Sequence, residues 1–154
     1  MILNDLKDYI KGDFLIAGVG NELKEIDSIG VDIAKEGKEK YPDEFIICGI
    51  APENWLGEII TILGKKTNKE KQKILIIVDA VDFDSPDQED IKVLFPENLS
   101  IQGISSHSLS LNFIGEYLKN FNIETIIIGI KPTAHLSRAK KDVISLLFSI
   151  IETH

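Results

Sequence analysis

GVGNELKEIDSIGVDIAKE, residues 18–36, follows directly on the apolar run Phe14–Ala17. Apolar run, glycine turn and helical pattern in that order form the strand–turn–helix unit that opens many nucleotide-binding folds. A dinucleotide site uses three glycines, two for the turn and the pyrophosphate and one for helix–strand packing. Gly18 and Gly20 fill the first two places, but Leu23 stands at the third. Glu22, Glu25 and Asp27 crowd the same turn. Carboxylates there oppose a phosphate and favour a cation, so no nucleotide cofactor is expected.

The rest of the chain repeats the alternation begun at this unit. Phe14–Val19, Glu44–Cys48, Ile74–Val78 and Thr125–Ile128 are short runs rich in Ile, Val and Phe. Without polar alternation, such runs read as strands buried on both faces. Helical spacing falls between and after them, at Ile29/Ile33/Ala34, Trp55/Ile59/Ile60/Leu63, Phe113/Tyr117/Leu118/Phe121 and Val143/Leu147/Ile150/Ile151. Leu3–Ile10 adds a short helix and Ile91–Phe95 a fifth, edge strand. Lys65–Lys73 reads as a solvated connection and Asp82–Asp90 as a polar turn. The expected fold is α/β: one domain over 1–154, with a mostly parallel twisted sheet of about five strands covered by helices on both faces.

Composition narrows the function classes. The 154 residues are 44% apolar and 27% charged, ordinary for a globular domain. Seventeen basic against 25 acidic residues give a net charge of -8, which disfavours nucleic acid and anionic membrane surfaces. No apolar stretch approaches the ~20 residues of a membrane span, and Met1–Asp13 lacks the apolar core of a signal peptide. A cytoplasmic monomer is expected. The single cysteine, Cys48, ends an apolar strand and reads as a small buried hydrophobe.

Common catalytic motifs fail. Gly64-Lys65-Lys66-Thr67 lacks the spacing and the hydroxyl of a P-loop, and no G-x-S-x-G nucleophile elbow occurs. What remains is two acids and a histidine placed after strands, where sites form in open α/β sheets. Asp27 follows the first strand, as a helix N-cap or as a ligand. Asp79 ends KILIIVD, where a carboxylate is costly unless hydrogen-bonded or bound to a cation. His107 lies in SSHS before a helix, as a loop histidine or as a third ligand. Two carboxylates and an imidazole without sulfur suit Ni, Zn, Mn or Fe in the divalent state, and three protein ligands leave positions open.

In order, GVGN at 18–21, DSIG at 27–30, GIAPEN at 49–54, VDA at 78–80, SSHSLSLNFI at 105–114 and GIKP at 129–132 resemble the maturation endopeptidases of [NiFe] hydrogenases. The branch that processes formate-hydrogenlyase-type large subunits is the most similar. The resemblance implies a peptidase whose partner is a nickel-loaded [NiFe]-hydrogenase large-subunit precursor, from which it removes a carboxyl-terminal peptide. It implies that Asp27, Asp79 and His107 are the catalytic and metal-contacting residues, and that the nickel is brought by the precursor. The chain departs from the family's frequent pair of adjacent acids in the first loop, since Ile26 precedes Asp27.

Direct aspartyl chemistry by Asp27 and Asp79 is an alternative to nickel-guided cleavage. A non-cleaving nickel-binding chaperone or sensor on the same scaffold is another. Asn21 is expected to steady the Asp27 loop, Glu53 and Asn54 to line the cleft, and Pro132 and Thr133 to shape its far wall. His135 reads as an ordinary loop residue, His154 as a frayed terminus, and the pairs Phe113/Tyr117 and Tyr117/Phe121 as core.

Overall fold

A computed structural model describes residues 1–66, 72–99, 103–132 and 134–154. Thr133 and most of the 65–73 connection lie outside the described residues. The expected runs become strands β1 (Phe14–Val19), β2 (Phe45–Gly49), β3 (Lys73–Ala80), β4 (Ile91–Leu94) and β5 (Ile123–Ile130). The helices are α1 (Leu6–Tyr9), α2 (Ile29–Lys40), α3 (Leu56–Gly64), α4 (Ser108–Lys119) and α5 (Leu136–Thr153). Short 3-10 turns at Leu3–Asp5, Glu25–Asp27, Pro52–Trp55 and Pro96–Asn98 join them.

The strands form one sheet in the order β2-β1-β3-β5-β4. All neighbours are parallel except β4, which runs antiparallel to β5 as an edge strand. The absence of alternation has a direct cause: each face of the sheet is covered. Ile16, Ile74, Ile76, Val78, Ile126 and Ile128 pack under α1, α2 and α5 with Leu6, Ile33, Val143 and Leu147. The intervening residues Leu15, Ala17, Leu75, Ile77 and Ile127 pack under α3 and α4 with Ile59, Leu63, Leu111, Ile114 and Leu118. The chain passes from β1 outward to β2, then returns to the other side of β1 as β3. That reversal opens a crevice at the carboxyl ends of β1 and β3, the usual place for a site in such sheets.

A Cβ on Gly30 would collide with the carbonyl oxygens of Val78 and Val19, so this residue lets the first turn of α2 sit against β1 and β3. Gly30 therefore does the close packing for which Leu23, exposed in the turn, is out of place.

Three expectations are corrected. Asp27 is not the N-cap of α2, because the 3-10 turn Glu25–Asp27 precedes it and Ser28 takes that position. Phe113, Tyr117 and Phe121 are not core: they are 55%, 40% and 45% exposed, because Leu111, Ile114 and Leu118 form the buried face of α4. His154 is not frayed. Its ring nitrogens lie 3.0 and 2.9 Å from the carbonyl oxygens of Ile150 and Ile10, and its ring meets Phe14 edge-on with centroids 5.6 Å apart. Cys48 is buried, and burial pushes its thiol up to about 12.

Candidate metal centre

Two loops and the end of a strand deliver side chains to the crevice. The first is the turn after β1. Gly20 has φ 149, and a Cβ there would strike the carbonyl oxygen of Asp27, so glycine lets residues 20 and 27 close the loop on itself. The Asn21 N–H donates to the Asp27 carbonyl oxygen (3.1 Å) and to its Oδ2 (3.2 Å). The Asn21 side chain accepts from the Leu23 N–H at 2.9 Å. Asn21 thus shapes the loop, with its own backbone touching the acid.

The second is the end of β3. Asp79 is a strand residue, in register with Gly129 of β5, and fully buried. Its carboxyl is raised to about 7, first by burial and also by the charge of Asp27, against the opposing hydrogen bond from Ser105.

The third is the segment before α4. Asp82 and Ile104 exchange backbone hydrogen bonds of 2.8 and 2.7 Å, which tie this segment to the end of β3. Within SSHS, the Ser105 N–H donates to Ser108 Oγ at 3.0 Å, and that hydroxyl donates back to the Ser105 carbonyl at 2.9 Å. Ser105 Oγ accepts from the His107 N–H at 3.0 Å and donates to Asp79 Oδ2. One hydroxyl therefore holds both the buried acid and the backbone of the histidine. Sequence reading missed this role of Ser105; its signal is a serine two residues before a histidine, the spacing of a side-chain-to-backbone turn.

One ligand atom each from Asp27, Asp79 and His107 lies within 4.8 Å of the others. His107 Nε2 is 3.6 Å from Asp27 Oδ2, beyond a good hydrogen bond. Asp79 Oδ1 and His107 Nε2 are both buried and without a hydrogen-bond partner. Two orphaned polar atoms beside a second acid, Asp27, cost several kcal/mol in a closed interior. A divalent ion held by these nitrogen and oxygen donors would remove that cost. The donor set fits such an ion.

Glu53 and Asn54 stand on the turn Pro52–Trp55, which packs beside α4, and do not join the group of three. Glu53 Oε2 is nonetheless buried without a partner. Pro132 follows β5 on the same end of the sheet. His135 is exposed at the start of α5, with Nδ1 3.2 Å from Ser137 Oγ.

No family model matches the chain. A Methanocaldococcus jannaschii protein provisionally named a hydrogenase maturation protease is 33% identical over 135 residues, spanning 86% of this chain and 78% of that one. Among solved structures, the [NiFe] hydrogenase maturation protease HycI of Thermococcus kodakarensis superposes with a TM-score of 0.69, at 23% identity and covering 96% and 98% of the two chains. The Escherichia coli endopeptidase HycI gives 0.64 at 24% identity over 87% and 88%. The hydrogenase maturating endopeptidase HybD, also from E. coli, gives 0.63 at 21% over 92% and 93%. At these identities the superpositions speak for a shared fold.

Proposed function

The chain belongs to the hydrogenase maturation protease family, and on that premise we propose that it cleaves a carboxyl-terminal peptide from a nickel-loaded [NiFe]-hydrogenase large-subunit precursor. The observation that carries the site assignment is the gathering of Asp27, Asp79 and His107 within 4.8 Å, with two of their atoms buried and unpartnered. Nickel is part of the substrate in this reading, and when bound it supplies a Lewis-acidic anchor that fixes the precursor's tail. Asp27 Oδ, Asp79 Oδ1 and His107 Nε2 hold that anchor. Ser105 keeps the Asp79 carboxylate and the His107 loop in place, and the Asn21 N–H orients Asp27. The protein's contribution is then positioning: a scissile bond held at fixed distance from the anchor gains the advantage of an intramolecular reaction. The protein acts in the cytoplasm, as a monomer.

A second reading is supported by the raised carboxyl of Asp79 beside Asp27. One proton on that pair gives a general acid and a general base on adjacent groups, the arrangement that activates water in aspartyl proteases.

The test incubates purified protein with nickel-loaded and nickel-free precursor and follows the mass shift. Nickel-guided cleavage trims the loaded form alone, and Asp27→Asn, Asp79→Asn or His107→Ala abolishes the shift. Equal trimming of both forms selects the aspartyl reading. Normal processing by all three variants overturns the site assignment.

A further inference from the structure

Exposed apolar side chains are distributed unevenly. Apart from Met1 and Ile2, every exposed large hydrophobic among the described residues lies at one end of the sheet or along one helix. Leu23 and Ile26 precede Asp27 on its loop, Ile50 and Trp55 follow β2, and Ile104 and Leu109 bracket Ser105 and His107. These six form a collar on the loops after β1 and β2 and before α4, at the end of the sheet that holds the candidate metal centre. From Leu109 the pattern continues at four-residue spacing through Phe113, Tyr117 and Phe121. Neighbouring rings on this ridge have centroids 5.8 and 5.5 Å apart. The outer faces of α2, α3 and α5 carry no exposed large hydrophobic among the described residues.

We propose that the collar and the α4 ridge form one docking surface for the folded body of the protein whose metal the candidate centre receives. This rests on the function proposed above and adds where on this chain the partner binds. The surface is continuous with the metal centre, since His107 stands at the N-terminal end of the helix that carries the ridge. Leu109 to Tyr117 spans about 12 Å along α4 at 1.5 Å per residue, with Phe121 just beyond its end, in addition to the collar. That extent exceeds a metal ion or a few residues of tail and matches part of a protein interface. Contiguous exposed apolar surface with stacked aromatics marks such interfaces. Charge refines the partner's chemistry: Glu22, Glu25, Asp27, Glu53 and Glu116 on these segments outnumber Lys24 and Lys119. An apolar patch edged by basic residues is the complementary surface.

The test uses the double variant Phe113→Glu/Tyr117→Glu and, as a milder control, Phe113→Ser/Tyr117→Ser. Processing kinetics are measured with nickel-loaded precursor, complex formation by size exclusion, and nickel affinity by titration of the free protein with nickel salt. Both substitutions are on exposed positions, so melting temperature and nickel affinity stay at wild-type values. The inference expects kcat/KM to fall at least about tenfold through KM, with loss of the complex. Wild-type kinetics in both variants overturns it while leaving the proposed function standing. Conversion of a wild-type dimer to monomer by the variants also overturns it, in favour of a second copy of this chain. Failure of wild-type protein either to bind or to trim the precursor sinks the inference and the function together.

Discussion

A buried aspartate with an orphaned oxygen is a liability to folding that only a ligand or a proton removes. Asp79 is held near 7, first by burial, whereas an unfolded aspartate titrates near ~3.9. Between those values the folded chain keeps a proton that the unfolded chain has released. This group's stabilising share is complete below about pH 4 and lost as pH rises through about 7. Asp79→Asn is neutral at every pH, so the metal-free variant is expected to melt above wild type at pH 8, by roughly 5–10 °C, with the gap closing towards pH 4. Calorimetric scans of both proteins across that range check it; a constant gap would refute it. Ser105→Ala removes the hydroxyl that joins Asp79 to the His107 backbone. Nickel or zinc affinity, measured by titration, is expected to drop about 10- to 100-fold while the far-ultraviolet spectrum is unchanged.

At the scale of elements, the first turn of α2 matters most, because its contact with β1 and β3 sets where the Asp27 loop lies. Gly30→Ala forces a methyl into the carbonyl oxygens of Val78 and Val19, which are sheet backbone and cannot swing aside. A loss of about 3 kcal/mol, read from urea unfolding, is expected, together with weaker metal binding as the Asp27 loop is pushed outward. The same scale shows why α4 misled the reading of its pattern. SLSLNFIGEYLKNF carries two apolar stripes, Leu111/Ile114/Leu118 and Leu109/Phe113/Tyr117/Phe121. Periodicity declares a helix but not which stripe faces the sheet. The aliphatic stripe took the core, beside Gly115, where a Cβ would press on Pro96. The aromatic stripe was left outside.

At the scale of the whole molecule, Asp27, Asp79 and His107 come from segments far apart in the chain, so a metal held by all three would be coupled to global stability. A divalent cation that binds the folded chain alone raises its melting temperature by mass action. Because it must displace the Asp79 proton, the rise is expected to be larger at pH 8 than at pH 6, and a chelator should reverse it. Thermal scans with and without nickel salt at both pH values test this; an equal rise at both would remove Asp79 from the ligand set.

Much of this was readable in the chain alone. Four uninterrupted apolar runs separated by helical patterns determined an α/β class with strands covered on both faces, since burial on both sides leaves no polar alternation. The charged turn at 22–27 and the acid ending β3 made a cation, not a phosphate, the expected occupant of the glycine turn. Tertiary structure decided the order β2-β1-β3-β5-β4, the exposed face of α4, the anchoring of His154 and the role of Ser105. It also brought Asp27, Asp79 and His107 to one point. The reason is physical: sequence periodicity records how much of each residue is buried, whereas convergence depends on register and loop hydrogen bonds between segments far apart in the chain.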